Sequence, residues 1–383
     1  MSSLHTKTAQ LGDLVEKVAS WNPVREAPDH KLAYIDLGAV DNATKAITGY
    51  QSILGHEAPS RARQRVRAGD ILVSTVRPNL NGVARVPSNL DDATASTGFC
   101  VLRPQPSKLD ASYLFHWVQS SEFVKDMVQK ATGASYPAVS DKIISKSEIP
   151  CPSLDEQKRI AAILDQADEL RRKRQRAIDR LNELGHAIFH EMFNGDDSQR
   201  KPIRELGKVS TGSTPRTSEK ENFDGPVPFV TPGDLASGEP VKRTLTELGA
   251  SKSRVVQPDA TMVCCIGATI GKIDRSREKS AFNQQINAIE WFDPIDPAFG
   301  YYAMRELRPV IIHKGKGAST TLPILKKSEF EKLEIPCPDL NKQIEFSQKI
   351  AAVEKLLDDL IPKKDRLDDL FASLQHQAFR GEL

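Results

Sequence analysis

The sequence predicts an α+β chain: two mixed α/β domains separated by two long helices that form an antiparallel coiled coil. Three observations predict it. Ile149-Pro150-Cys151-Pro152 returns as Ile335-Pro336-Cys337-Pro338, an offset of 186 residues. A heptad run of apolar residues follows each copy. Short strand-like runs set among dense turn residues precede each copy.

The repeat orders the rest of the chain. The same offset carries Glu148 to Glu334, Leu154 to Leu340, Gln157 to Gln343, Phe193 to Phe379 and Gly195 to Gly381. Upstream the match is weaker. Leu11–Leu14 faces Ile203–Leu206, Asp70 faces Asp259, Gly82 faces Gly271, and Pro137 faces Pro323. A period this long marks two domains rather than a solenoid. The expected divisions are a first variable domain at 1–150, a helical segment at 151–197, a second variable domain at 198–336 and a second helical segment at 337–383.

Within the variable domains, strands are expected at Ile71–Val76, Phe99–Leu102, Thr261–Ile266 and Ile286–Ile289. Helical runs are expected at Ala111–Lys130 and Asp296–Ile312, with Pro309 breaking the second late. Arg61, Arg63, Arg65 and Arg67 alternate with other residues, so an extended strand turns all four to one side. Each helical segment carries a seam. In the first it runs Ile160, Ile163, Ala167, Leu170, Arg174, Ala177, Leu181, Leu184 and Ile188. In the second it runs Phe346, Lys349, Val353, Leu356, Leu360, Lys363, Leu367, Leu370 and Leu374. Ser153 or Asp155 suits the first helix start, and Gly195 and Gly381 suit the ends. Two seams in one chain pair most simply with each other, and Pro362 predicts a kink or break in the second.

Composition excludes several classes. The chain has 383 residues, 39% hydrophobic and 27% charged, with a net charge of +2. That is globular, not disordered or collagen-like. No apolar run reaches membrane-helix length, and Met1–Gln10 lacks the apolar core of a secretory leader. Five cysteines without C-x-x-C spacing point to a reduced, cytoplasmic protein. The charge divides unevenly: the variable domains are +2 and +4, and the helical segments are −2 each.

Motifs for catalysis are weak. Gly267-Ala268-Thr269-Ile270-Gly271-Lys272-Ile273 has three residues between its glycines where a phosphate loop has four, so it reads as a turn between strands. His186 and His190 are four apart on a helix, but no metalloprotease pattern surrounds them, and they read as solvated. No cofactor loop, nucleophile elbow or metal set is expected. A binding protein is favoured over an enzyme.

Other residues suit nucleic acid. The arginine row matches phosphates, and arginine also reads guanine edges. Arg77, Asn79 and Asn81 crowd one turn. Ser135 and Tyr136 lie in a second small loop. The basic, hydroxyl-rich loop with Lys314, Lys316, Ser319 and Thr320 is its counterpart in the other repeat. Thr214, Arg216, Lys242 and Arg243 add donors.

At this point the chain resembles the specificity subunit of a type I restriction-modification enzyme. Tyr34–Gly38, Gly69–Leu72 with Arg77-Pro78, Ser96–Phe99 and Gly133–Pro137 resemble one target-recognition domain. Thr211–Pro215, Phe229–Asp234, Ile266–Gly271 and Asn283–Asn287 resemble a second. The helix openings Ile149–Gln157 and Ile335–Gln343 are the most specific of these motifs. The resemblance implies two target-recognition domains held apart by an antiparallel coiled coil, each reading one half of an asymmetric, bipartite site in double-stranded DNA. It implies helices that set the unread spacer and dock two methylation subunits, which bind S-adenosylmethionine. Restriction subunits then join, and the specificity subunit itself is not catalytic. Two other readings stay open: a coiled-coil scaffold joining two globular modules, and a stand-alone two-domain repressor.

Overall fold

The computed structural model describes residues 7–133, 135–195, 198–317 and 322–383. The chain divides into two compact units, Met1–Arg174 with Lys364–Leu383, and Gln175–Lys363. Each unit combines one variable domain with parts of both long helices. Among the described residues no helix is long and apolar enough to cross a membrane. All five cysteines are free thiols.

The first unit has two four-stranded sheets. One runs Val15–Glu16, Phe99–Pro104, Ile71–Ser74, Val83–Arg85; the other runs Gln51–Leu54, Lys31–Ile35, Thr94–Ser96, Ala62–Arg65. Thr94–Ser96 lies parallel to Lys31–Ile35. The apolar run at Ile71 forms a central strand because both its faces are covered. Ile71 and Val73 face a core with Tyr113 and Ile149, while Leu72 faces another with Ile35 and Phe99.

The second unit repeats this topology. Its sheets run Gly207–Thr211, Ile286–Trp291, Thr261–Cys264, Ile273–Arg275, and Thr244–Leu245, Phe223–Val230, Ser280–Phe282, Val255–Val256. The parallel pairing recurs between Phe223–Val230 and Ser280–Phe282. Backbone hydrogen bonds repeat one by one. Thr75 N–H donates to Gly98 O at 2.9 Å, and Cys265 N–H donates to Gln285 O at 2.8 Å. Val139 N–H to Thr75 O matches Leu325 N–H to Cys265 O, both 2.8 Å.

These bonds correct the upstream alignment by one residue. Gly69 N–H donates to Val86 O, and Asp259 N–H donates to Ser276 O. The partner of Asp259 is therefore Gly69, not Asp70. By the strand register Val73↔Val83 and Val263↔Ile273, Gly82 matches Lys272, and Gly271 matches Asn81. A duplicated backbone tolerates such slips in residue identity because its bonds belong to the chain, not to the side chains.

Both helical runs of the variable domains are split. Ala111–Trp117 is followed by Ser121–Lys130, whose start is capped by the Ser120 hydroxyl accepting from Phe123 N–H. Pro297–Glu306 is followed by Arg308–Gly317. Pro309 sits in the first turn of that helix, where its missing N–H costs nothing, so it starts a helix rather than breaking one.

The long helices are Leu154–Phe193 and Leu340–Arg380. Ser153 Oγ accepts from Glu156 N–H at 3.3 Å. Pro362 lies within the second helix without interrupting it. The helices meet in antiparallel sense inside each unit. In the first, Arg171 Nε bonds Asp368 Oδ1 at 2.6 Å, and Arg159 Nη2 bonds Leu383 O at 2.7 Å. In the second, Phe189 and Phe193 lie 5.4 and 5.5 Å from the Phe346 ring.

The seam keeps its heptad period but differs in phase. One expected column packs inward: Ile160, Leu181 and Ile188, with Val353, Leu360, Leu367 and Leu374, are buried or half-buried. The other column is off by one residue. Leu164, Arg171, Ile178 and Gly185 turn inward, as do Ile350, Leu357, Lys364 and Phe371. Leu170, Leu184, Leu356 and Leu370 are instead 55, 46, 53 and 51% exposed, and Ile163 is half-buried. Counting apolar residues favours the leucines. The fold favours the column that lets Arg171 reach Asp368 and lets Tyr302 approach Gly185.

Two buried glutamines explain the repeated helix opening. Gln157 Oε1 accepts from Asp110 N–H, and Gln343 Oε1 accepts from Asp296 N–H, both at 2.9 Å. Their amide groups donate to Pro152 O and Pro338 O. Each thus fastens its helix start to the beginning of a domain helix.

Candidate nucleic-acid interface

In the first unit the turn Arg77–Gly82 and the segments 132–133 and 135–138 form one corner. Arg77 N–H donates to Pro137 O at 2.7 Å, and Val76 bridges Ala138. The Arg77 guanidinium lies 4.6 Å from the Tyr136 ring centroid. Arg77, Asn79, Ser135 and Tyr136 are all exposed there. The corner therefore presents a cation stacked on an aromatic ring, with an amide and a hydroxyl nearby. Those groups suit a phosphate and adjoining base edges.

Backbone strain marks the same turn. Arg77 and Asn81 adopt left-handed conformations, with φ of 48° and 46°. At the matching positions the second unit has Gly267 and Gly271, with φ of 98° and 85°. Glycine takes this conformation freely, whereas a residue with a Cβ is held there by its surroundings.

Asn81 is not free to read a base. Its Oδ1 and carbonyl O accept from Lys45 Nζ at 3.0 and 2.6 Å, and its Nδ2 donates to Val118 O at 3.1 Å. Lys45 went unnoticed in the sequence because a lone lysine in a polar turn carries no signal of a partner 36 residues on.

The arginine row is strand only over Ala62–Arg65, and its alternation holds: Ala62 and Val66 are buried while Arg61, Arg65 and Arg67 are exposed. The four side chains are not equivalent. Arg65 forms a two-pronged ion pair with Asp92 and sits 5.4 Å from the Trp21 ring. Its pairing holds the Asp92 carboxyl below the usual range. Arg63 Nη1 donates to Ala62 O. Among the described residues Arg61 and Arg67 form no ion pair. The Arg61 carbonyl accepts from Thr97 N–H, beside the Gly98 that holds Thr75. That end of the row adjoins the Arg77 corner.

The second unit builds the equivalent corner from different side chains. Gly267 N–H donates to Pro323 O at 2.9 Å, and Ile266 bridges Ile324. Thr214 Oγ1 donates to the exposed Gln284 at 2.7 Å. Arg216 is exposed, 3.8 Å from Glu219. Lys242 and Arg243 are exposed beside the other sheet, where Arg243 O accepts from Phe229 N–H. Lys314 and Lys316 lie on the helix Arg308–Gly317, not in a loop. Cations suit its C-terminal turn because they face unpaired carbonyls. Ser319 and Thr320 lie outside the described residues.

His186 and His190 are not simply solvated. They share Glu306, at 2.8 Å from His186 Nδ1 and 2.9 Å from His190 Nε2, and tie the long helix to its domain.

The family model for the type I restriction modification DNA specificity domain matches this chain twice, at residues 10–180 and 195–366. The HindI specificity subunit of Haemophilus influenzae is 22% identical, over 85% of this chain and 89% of that protein. The MjaIX specificity subunit of Methanocaldococcus jannaschii is 30% identical over 187 residues; the match covers 47% of this chain and 42% of that protein. Among solved structures, the type I restriction-modification S subunit from M. genitalium superposes with a TM-score of 0.60 at 15% identity, covering 97% of this chain and 96% of that one. A chain of a solved type I R-M system gives 0.52 at 24% identity, covering 98% of each. At these identities the two structures share the fold.

Proposed function

The chain belongs to the type I restriction modification DNA specificity family, and from that premise we propose that each unit reads one half of a bipartite, asymmetric site in double-stranded DNA. The chain is the DNA specificity subunit of its system. The duplicated corner carries the half-site reading. One set of backbone hydrogen bonds holds the corner in both units; Arg77, Asn79 and Tyr136 are exposed on the first, and Gln284, bonded to Thr214 two residues before Arg216, adjoins the second. A shared scaffold with different exposed side chains suits two different half-sites.

The long helices set the unread spacer. A helix of 40 residues is about 60 Å long, longer than the ~34 Å between equivalent faces one DNA turn apart. Chemistry comes from partners: two methylation subunits that bind S-adenosylmethionine, and restriction subunits that join them. The outward leucines support two docking sites. Leu170 and Leu370 adjoin the Arg171–Asp368 pair in the first unit. The 186-residue offset converts them to Leu356 and Leu184, both in the second unit. Each unit thus carries one copy of the same exposed leucine pair.

Inserting one heptad into both helices tests the spacer. Methylome sequencing of cells carrying the altered chain with its methylation subunits is expected to show both half-sites unchanged and a longer gap between them. Altered half-sites at the original spacing would sink the reading.

A further inference from the structure

Each unit holds its corner turn with a cation drawn from elsewhere in the fold, and the two cations come from different places. Asn81 and Gly271 are equivalent positions at the end of the turn, both left-handed. In the first unit the Asn81 carbonyl accepts from Lys45 Nζ at 2.6 Å. In the second the Gly271 carbonyl accepts from Arg308 Nε at 3.1 Å. We propose that Lys45 and Arg308 are positioning residues that fix the corner turn of each unit: the first turn carries Arg77 and Asn79, and the second braces the segment of Gln284 through the bonds of Gln285 to Cys265 and Ile266.

The arrangement is independent in the two units. Lys45 belongs to the hairpin of Val40–Asp41 and Ala46–Ile47, and Arg308 begins the helix Arg308–Gly317. At the position of Arg308 the first unit has Glu122, by the 186-residue offset, and a carboxylate cannot donate to a carbonyl. Lys45 supplies the missing donor from another element. Lys45 is itself left-handed, with φ of 55°. A strained residue therefore grips a strained residue, which persists only where the surroundings over-determine both. In the second unit the same helix closes the turn from the apolar side, through Ile312 against Gly271 and Gly315 against Ile270.

The two clamps differ in how they titrate. Burial pushes the Lys45 ammonium down to about 8, and Asp41 on the same hairpin pulls the other way. The strand Val83–Arg85 also packs on this hairpin, but Arg85 Nη2 is turned to Ser112 Oγ at 2.9 Å. From the turn itself Lys45 meets the neutral Asn81 amide and carbonyl. Because the folded value lies below the usual 10.5, proton loss favours the fold: stability gains from this group as pH rises from about 8 toward 10.5. DNA phosphates favour the ammonium instead, so binding weakens over the same range. Arginine does not titrate there, so the second unit lacks this slope.

This inference rests on the half-site reading, and one experiment separates the two. The full chain with its methylation subunits selects from a randomised duplex pool. Lys45→Met is expected to degrade one half of the selected motif, and Arg308→Met the other half. Each should lower affinity for the wild-type motif about tenfold, as for one charge-assisted hydrogen bond. Between pH 7 and 9.5, the wild-type affinity should fall through the half-site that Lys45→Met degrades. Lys45→Arg should keep that motif and lose the slope. Amide exchange over Ile71–Ser74 should stay native in both Lys45 variants, and if Lys45→Met does not fold, the Lys45→Arg pH profile decides. Unchanged motifs and affinities in the methionine variants would overturn the positioning role while leaving the DNA reading intact, as would equal damage to both half-sites. A wild-type complex that enriches no motif would instead overturn the DNA reading itself.

Discussion

Arg77 and Gly267 occupy the same place in two copies of one fold, yet only one of them carries a side chain to present. Around them the backbone is unchanged: both N–H groups donate to a proline carbonyl, Pro137 or Pro323. Duplication has therefore kept the hydrogen bonds at the base of the corner and let its exposed side chains diverge. The scaffold and the surface it presents are separable, and they fail in different ways when altered.

The largest expected effect separates the cores. Phe346 is fully buried against Phe189, Phe193 and Tyr302, and its counterpart in the first unit is Ile160. Phe346→Ala is expected to cost about 3–5 kcal/mol, and Ile160→Ala about 2–5 kcal/mol. Amide exchange read unit by unit tests whether each loss stays where it is made. Phe346→Ala should lower protection at Thr261–Cys264 and spare Ile71–Ser74, and Ile160→Ala should do the reverse. Equal loss at both sheets after either change would break the comparison, because the units would then unfold as one.

The docking leucines come next. Leu170→Asp and Leu356→Asp are equivalent changes at exposed positions, so each chain should keep its fold. Each is expected to remove one methylation subunit, taking the complex from two to one, and the double variant should bind none. Native mass spectrometry reads the count directly. A single variant that loses both subunits would argue that docking is cooperative, and one that loses neither would move the site off this column.

How far the sequence reveals this division depends on whether an interaction is local. The repeat, the sheets' central strands and both long helices are legible, because buried strands and heptads impose short periods. The phase of the seam is not legible. Leu170 and Leu184 look like core residues, but Arg171 and Gly185 pack inward through partners 197 and 117 residues away. The corner is half legible. Arg77, Asn79 and Tyr136 announce themselves as turn residues with polar or aromatic heads. The grip of Lys45 on Asn81, of Arg308 on Gly271 and of Asp92 on Arg65 joins distant segments, and no local pattern marks it.

A smaller effect tests the corner. Arg77→Gly relieves a left-handed residue but frees the unfolded chain, so fold stability should change by less than about 1 kcal/mol. It also removes the stack on Tyr136, and binding at that half-site should weaken with a salt slope lower by about one. The reverse change is not symmetric. At φ of 98°, Gly267→Arg forces a Cβ to 3.2 Å from the Gln285 amide, and is expected to cost about 1–3 kcal/mol. Chemical denaturation of both variants checks the asymmetry. An equal cost would mean that the turn, and not its surroundings, sets the strain.

The smallest expected effect is a pH response of one buried histidine contact in the first unit. His116 is buried, and its Nε2 lies 2.7 Å from Asp165 Oδ1 on the long helix. The hydrogen bond from His116 lowers the Asp165 carboxyl from its usual 3.8, against the opposing effect of burial. A lowered folded value means that the contribution is complete above the unfolded value and is lost as pH falls through the folded one. By the repeat offset the second unit has Tyr302 and Ala351 at these positions, and its own histidine–carboxylate link lies elsewhere, from His186 and His190 to Glu306. Acidifying from pH 5 to pH 3 should reduce amide protection in Ala111–Trp117 more in the wild-type chain than in Asp165→Asn. Asp165 is half exposed, so water screens the interaction and the difference is small. It still discriminates: a loss of equal size in both chains would come from general acid expansion, and not from the His116–Asp165 contact.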